Sequence, residues 1–413
     1  MISSQGGTVR PCPSGVAAPT FLSRMTTLAA SFRLAHVTLR EIQLPLVRPF
    51  RTAGGVTTER RILLAELTDA DGTTAWSECV AETRPSYSPD TVDTCWLALR
   101  EWVLPRVLGT PFAGAHAVHE LVAHGVRGHA MARAAIEMGA WALESERRGQ
   151  ALAATLARAA GSAPRHQVAT GIVLGFHETT DALVEAARDA LAHGYQRIKI
   201  KVAPGREVEE VRAVRDALGD EARLGVDANA SYSLDDAHHR AALRALDAMD
   251  LAMIEQPLAH DDLVRHAELQ RELRTPLCLD ESVRDAASAA SALALGSARM
   301  LNVKPGRLGG FHASLAVHSR CAAAGVPLLC GGMLESGIGR AYNVALASLP
   351  GFSEPGDLSP SARYWAQDIV TPAWTMDDVG LVQVPLVRPG LGVSVDTARI
   401  DDLTTRLESF RAR

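Results

Sequence analysis

Five apolar runs each end in one charged residue. Lys201 closes Arg197-Ile198-Lys199-Ile200-Lys201, Asp227 closes Leu224-Gly225-Val226-Asp227, and Glu255 closes Leu251-Ala252-Met253-Ile254-Glu255. Asp280 closes Pro276-Leu277-Cys278-Leu279-Asp280, and Lys304 closes Met300-Leu301-Asn302-Val303-Lys304. Three acids flanked in order by lysines, with no matching His or Cys cluster, suit a hard cation such as Mg2+, which prefers oxygen ligands. Such an ion stabilises negative charge growing on a substrate oxygen. A lysine is a useful base only when its pKa falls well below about 10, and neighbouring cations push it that way: the other lysine, the metal and Arg307. The combination fits removal of a proton next to a carboxylate. Taken singly, Lys-Ile-Lys reads as an edge strand and each acid as a helix N-cap. Chance is a poor account of all five in this order.

The elements that must position them follow from the spacing. The five residues stand about 25 positions apart, the length of one strand, one helix and two short loops. That repeat closes into a (β/α) barrel, whose active site lies at the C-terminal ends of its strands. Alternation along a strand puts Lys199 and Lys201 on one face and Ile198, Ile200 and Val202 on the other. The first barrel strand is expected from Gln167 to Ala169-Thr170-Gly171, the seventh from Pro327 to Gly332, and a short eighth near Phe352. The intervening segments are amphipathic helices, such as 181–192 and 235–249. His238 and His239, adjacent on the second of these, do not share a face and do not read as a metal site.

The rest of the chain sets the surroundings. Its 413 residues, 47% hydrophobic and 22% charged, allow a large buried core. A net charge of -5 and a pI near 6.3 give no basic footprint for nucleic acid. No apolar run reaches the ~18 residues of a membrane span. Residues 1–33 are rich in Ser, Thr, Gly and Pro without a secretory-signal pattern, and read as a disordered tail, or as upstream sequence if translation starts at Met25. Cysteines 12, 79, 95, 278, 321 and 330 show no CxxC spacing, so free thiols in a reducing cytoplasm are expected. Strands are expected at 34–44, 61–67 and 73–79, with Ala70-Asp71-Gly72 as a turn. The glycine-rich stretch Arg48 to Gly55 between the first two reads as a loop, either a mobile flap or a hairpin connection. Helical spacing marks 92–108 and 130–143, and the last residues read as a polar helix.

Taken together these motifs resemble the enolase superfamily, in its muconate-lactonising subgroup, and most of all the o-succinylbenzoate synthase / N-succinylamino acid racemase family. The resemblance rests on Lys199-Ile-Lys201, Val226-Asp227-Ala-Asn229, Ile254-Glu255-Gln-Pro257, Leu279-Asp280-Glu-Ser282, Asn302-Val-Lys304-Pro-Gly-Arg307 and Gly331-Gly332-Met333-Leu-Glu335-Ser-Gly337. A Lys base working with Mg2+ is itself a familiar pattern for enolase-superfamily sites. It implies an α/β fold, a (β/α)7β modified TIM barrel over 161–360, with an α+β capping domain built from 34–160 and the C-terminal segment 361–413. It also implies Lys201 and Lys304 as acid/base pair on opposite faces of the substrate's α-carbon, and Asp227, Glu255 and Asp280 as ligands of Mg2+, with Mn2+ or another divalent cation as alternatives. Lys199 is expected at the substrate carboxylate, Asn229 beside it or a metal ligand, and Gly332 and Met333 along the pocket. The cap loops at 48–55 and 81–89 are expected over the mouth, selecting the side group. Many relatives carry a substrate-binding serine where this chain has Ala169, and Trp141-Ala142 departs from the usual Trp-Asp.

A small-molecule carboxylate substrate and a homo-oligomer follow from the same resemblance, with no nucleic acid or membrane partner. One constellation permits dehydration to o-succinylbenzoate and racemisation of N-succinylamino acids. Menaquinone synthesis would select the first and a neighbouring deacylase the second. Muconate cycloisomerases share the lysines and acids. Dipeptide epimerases carry an Asp-x-Asp where Met333-Leu334-Glu335 stands, and a catalytically silent binding barrel would have lost a ligand or a lysine. Glu335 reads equally as a site carboxylate and as a loop or cap residue.

Overall fold

The computed structural model describes residues 31–52 and 55–413, so the expected N-terminal tail lies almost wholly outside the described residues. Seven short parallel strands lie side by side in chain order: Gly171–Leu174, Arg197–Lys201, Leu224–Asp227, Met253–Glu255, Leu277–Leu279, Met300–Val303 and Leu328–Cys330. They are the apolar runs of the sequence, continuous because parallel strands under helices are buried on both faces. The eighth position is filled without a regular strand. Gly171 N donates to Gly356 O at 2.7 Å and Asp357 N to Cys330 O at 2.9 Å, so 351–357 joins the seventh strand to the first. Backbone hydrogen bonds close the barrel there even though no ladder forms.

One expectation about the first strand is corrected. Gln167–Ala169 is a separate strand, antiparallel to Leu381–Gln383, and the barrel strand begins at Gly171. Gly171 is a start, not a stop, pairing with Arg197, and a Cβ there would come within 2.8 Å of the Arg197 guanidinium. Ala169 and Thr170 therefore lie at the N-terminal end of the barrel, and the mouth end of this strand is Leu174-Gly175.

The barrel interior is stacked in layers. Met253, Cys278, Met300 and Leu329 form a small apolar cluster of their own, apart from the main core. Two residues further along these strands the interior becomes polar, through Glu255, Asp280 and Asn302, with Lys199 of the second strand donating to Glu255, all buried.

The cap is a sheet of Thr404–Arg411, Phe32–Thr52, Gly55–Asp69 and Thr74–Cys79, in that order, all antiparallel. Two expectations change here. The hairpin strands continue through Phe50↔Thr57 and Thr52↔Gly55, with residues 53–54 not described, because cross-strand pairing overrides the weak strand propensity of Gly. The last residues are a strand, since Thr404–Arg411 finds the free edge of Phe32–Thr52. The hairpin end rests on the barrel: Phe176 N donates to Arg51 O at 3.0 Å and Val47 N to Tyr364 O at 2.9 Å.

Two buried cap carboxylates join cap to barrel by capping barrel helices. Glu137, on the helix Ala130–Arg147, accepts from Phe311 N at 2.7 Å, His312 N at 2.9 Å and Trp141 Nε1 at 2.7 Å. Glu78 accepts from Ser336 Oγ at 2.6 Å and from Gly339 N at 3.1 Å, at the start of Gly337–Ala347. Unpaired N–H groups and the positive end of the helix dipole suit a carboxylate. Burial pushes Glu78 up to about 8 and Glu137 up to about 7, against these donated hydrogen bonds.

Candidate active site

Register brings the charged residues together. Lys201 pairs with Asp227, and Asp227 with Glu255, across neighbouring strands, while Cys278, two residues before Asp280, is the partner of Glu255. The three acid-bearing strands thus lie between the two lysine-bearing ones, and positions two and six of a closed eight-position barrel face each other.

Each acid is turned to an ammonium. Lys201 Nζ donates to Asp227 Oδ2 at 2.7 Å, Lys199 Nζ to Glu255 Oε2 at 2.7 Å, and Lys304 Nζ to Asp280 Oδ2 at 2.8 Å. All six residues are nearly inaccessible, so the pairs are little screened by water. The nearby lysines hold the Asp227 carboxyl below its ordinary range, against burial, which acts the other way. Lys304 is held the other way in the metal-free protein. Burial lowers it, but Tyr87 and the acids Glu255, Glu281 and Asp227 outweigh that and raise it above an ordinary lysine. In this metal-free arrangement those groups outweigh burial.

Asn229 stands at the mouth with a positive φ of 42°. It accepts from Lys201 Nζ at 2.6 Å through Oδ1 and donates to Glu281 Oε1 at 3.1 Å. Lys199 lies one layer lower than Lys201, donating to Asp357 Oδ2 at 2.8 Å as well as to Glu255. Gly331 and Gly332 let the seventh strand pass close by: a Cβ on Gly331 would fall 2.6 Å from Lys304 Cε. Met333 is buried beside a small cavity that Lys304, Gly331 and Asn343 also line. Glu335 holds this loop, accepting from Met333 N at 2.6 Å, Asn343 Nδ2 at 2.9 Å and Arg340 Nη2 at 2.9 Å.

Three residues of the site escaped sequence reading. Tyr87, on the cap loop, donates to Asp280 Oδ1 at 3.0 Å, accepts from Arg307 Nη1 at 2.7 Å, and lies with its ring centroid 4.5 Å from Lys304 Nζ. Arg307 also donates directly to Asp280 Oδ1. Glu281 follows Asp280 directly, so the signal was present but read as part of a motif. Burial, then repulsion from Asp227, raises its pKa to about 7. Asp357 is preceded by no apolar run ending in charge, and only barrel closure places it.

Among the described residues no three acidic, His or Cys side chains surround one common point closely enough to hold an ion. The residues nevertheless fit a divalent cation by their chemistry: oxygen donors alone, on three adjacent strand ends. Beside them Glu281 Oε2 is buried without a hydrogen-bond partner. Asp227, Glu255 and Asp280 are the residues that would hold it.

Comparison with known proteins points to one family. Residues 34–156 match the mandelate racemase / muconate lactonizing enzyme N-terminal domain, and residues 182–399 the enolase C-terminal domain-like family. The chain is 41% identical to an o-succinylbenzoate synthase of Geobacillus kaustophilus, over 92% of this chain and 98% of that protein. It is 42% identical to an N-succinylamino acid racemase of Amycolatopsis sp, over 90% and 98%. A crystal structure of an enolase-superfamily member from Listeria innocua superposes with a TM-score of 0.87 at 32% identity, covering 92% of this chain and 100% of that one. A barrel that aims three strand-end acids and two facing lysines at one mouth, under a cap matched along its length, makes this chain an enzyme of the enolase superfamily, whose members generally work with a divalent metal.

Proposed function

We propose that this enzyme removes the proton α to a carboxylate with Mg2+ as its metal, and acts as an o-succinylbenzoate synthase, an N-succinylamino acid racemase, or both. The observation that carries the reading is the pair Lys201 and Lys304 on facing strands, with the three acids between them. When bound, the cation supplies positive charge that stabilises the ene-diolate form of the substrate carboxylate. Asp227, Glu255 and Asp280 would hold it, and Lys199 would add positive charge from the layer beneath. Lys201 and Lys304 address opposite faces of the α-carbon, one taking the proton and the other returning one in racemisation. In the synthase reaction proton and water leave from the same face, so one lysine serves as base and then acid while the other stabilises charge. Asn229 positions Lys201 and the substrate carboxylate.

Gly332 and Met333 line the pocket, and the 81–89 loop, through Tyr87, bounds it from the cap side. Met333-Leu334-Glu335 stands where dipeptide epimerases carry Asp-x-Asp, and Glu335 is engaged in holding its own loop, which disfavours that alternative. Five buried free cysteines among the described residues suit a reducing cytoplasm. No helix among the described residues is long and apolar enough to cross a membrane. Self-association is part of the proposal, as resemblance to the family implies.

The test is incubation of the purified protein with Mg2+ and an N-succinyl-L-amino acid in D2O. Loss of the α-proton signal together with loss of optical rotation is expected for racemisation. Absence of both across a panel of side chains, with no turnover of the cyclohexadiene carboxylate substrate of the synthase, would overturn the reading.

A further inference from the structure

The polar layer beneath the mouth contains an acid that the proposed reaction does not use. Asp357 lies on the segment that closes the barrel and is buried. Its Oδ1 accepts from Arg197 Nη2 at 2.5 Å and its Oδ2 from Lys199 Nζ at 2.8 Å. Its own backbone carbonyl accepts from Arg340 Nη1 at 2.6 Å, which fixes the segment. Lys199 Nζ thus donates to two acids, Asp357 and Glu255, the latter at 2.7 Å and also held by Asn302 Nδ2 at 2.7 Å, with Asp227 Oδ2 more distant at 4.0 Å. Formal charge in the layer balances, Arg197 and Lys199 against Asp357 and Glu255.

A cation held by Glu255 repels the Lys199 ammonium, which is too buried to turn to water. It needs a second counter-charge already within reach. We propose that Asp357 is a positioning residue for the cation site: it keeps Lys199 paired when Glu255 takes up the metal, and so frees that carboxylate to act as a ligand. The inference rests on the metal-dependent reading above, and concerns a residue that touches neither metal nor substrate. Arg197 takes the second carboxylate oxygen, so Asp357 stays ionised and aimed at Lys199.

The experiment is Mg2+ titration of the full chain by calorimetry, with the thermal shift as a second readout. Asp357→Asn keeps the shape, removes the charge and leaves Lys199 with Glu255 as its only hydrogen-bonded acid, Asp227 standing 4.0 Å away. Mg2+ binding should weaken about 10- to 100-fold, the usual range for residues that orient metal ligands. Lys199→Met removes the competing ammonium, and binding should stay equal or tighten. A merely structural role for Asp357 would lower the melting temperature of the metal-free protein and leave Mg2+ affinity unchanged, which would overturn the inference. Weakened binding in Lys199→Met would overturn it too. If Asp357→Asn does not fold, Lys199→Met decides alone by the same two outcomes. Failure of the wild-type chain to bind Mg2+ would instead sink the proposed function.

Discussion

Buried carboxylates serve two different ends in this molecule. At the mouth, Asp227, Glu255 and Asp280 face lysine ammoniums. At the seam between cap and barrel, Glu78 and Glu137 face backbone N–H groups at helix starts. A helix N-terminus is a fixed partner, committed by the fold and unable to change charge. A lysine can give up its proton or its partner, so an acid paired with one can exchange it for a metal. Burial is similar in both places, and the partner decides whether a carboxylate is structural or chemical.

The largest effects should come from breaking the mouth. Lys304→Ala is expected to reduce racemisation in D2O by about 10^2- to 10^4-fold, the usual contribution of a positioned acid/base group. Glu255→Gln should abolish the rise in melting temperature that saturating Mg2+ gives the wild type, a rise corresponding to about 2.7 kcal/mol at 100 times Kd. Retention of that rise would show that Glu255 is not a ligand.

The seam should respond in the opposite way. Glu137→Gln keeps the volume but replaces an acceptor of three hydrogen bonds, at a cost of about 2 kcal/mol in unfolding free energy, measured by denaturant titration. Its kcat should stay within about 3-fold of wild type, since it touches nothing at the mouth; a larger loss would erase the distinction between the regions. Tyr87→Phe sharpens it, because Tyr87 is a cap residue that belongs to the mouth. Removing its hydroxyl breaks the contacts with Asp280 and Arg307 while the ring stays over Lys304, and about a 10-fold loss in kcat/KM, one hydrogen bond's worth, is expected with little change in stability.

The smallest effect lies again at the seam. His119, from the cap helix Ala115–Gly125, stacks on His312 with ring centroids 4.3 Å apart. Burial, and then the neighbouring His312, lower its pKa from 6.5 to about 4. The folded form therefore holds fewer protons than the unfolded chain between these values. Its contribution to stability is fully present above about pH 6.5 and is lost as pH falls toward 4. His119→Gln should make the melting temperature less steep in that window, and an unchanged slope would show that other groups control it.

How much was legible can be judged residue by residue. The seven parallel strands and five charged strand ends were readable because a strand–helix repeat announces itself locally, through apolar runs of fixed period. The first strand was placed too early because Gly171 looks like a terminator in isolation, and only the Arg197 side chain across the pair explains why the residue there is glycine. The extent of the hairpin strands and the final cap strand were not legible because their stability comes from cross-strand pairing, Phe32–Thr52 with Gly55–Asp69 and Thr404–Arg411 with Phe32–Thr52, rather than from their own composition.

The sequence by itself determined the order of the acids and lysines, the side of each strand they occupy and hence the class of chemistry. The tertiary structure alone decided which ammonium each acid faces, and that Tyr87, Glu281 and Asp357 lie beside these residues. The reason is physical. Strand-end position depends on the nearest few residues, whereas hydrogen-bond partnership and desolvation depend on groups up to 220 positions away, as Arg307 and Tyr87 are, and on a barrel that closes only when 351–357 meets the first strand.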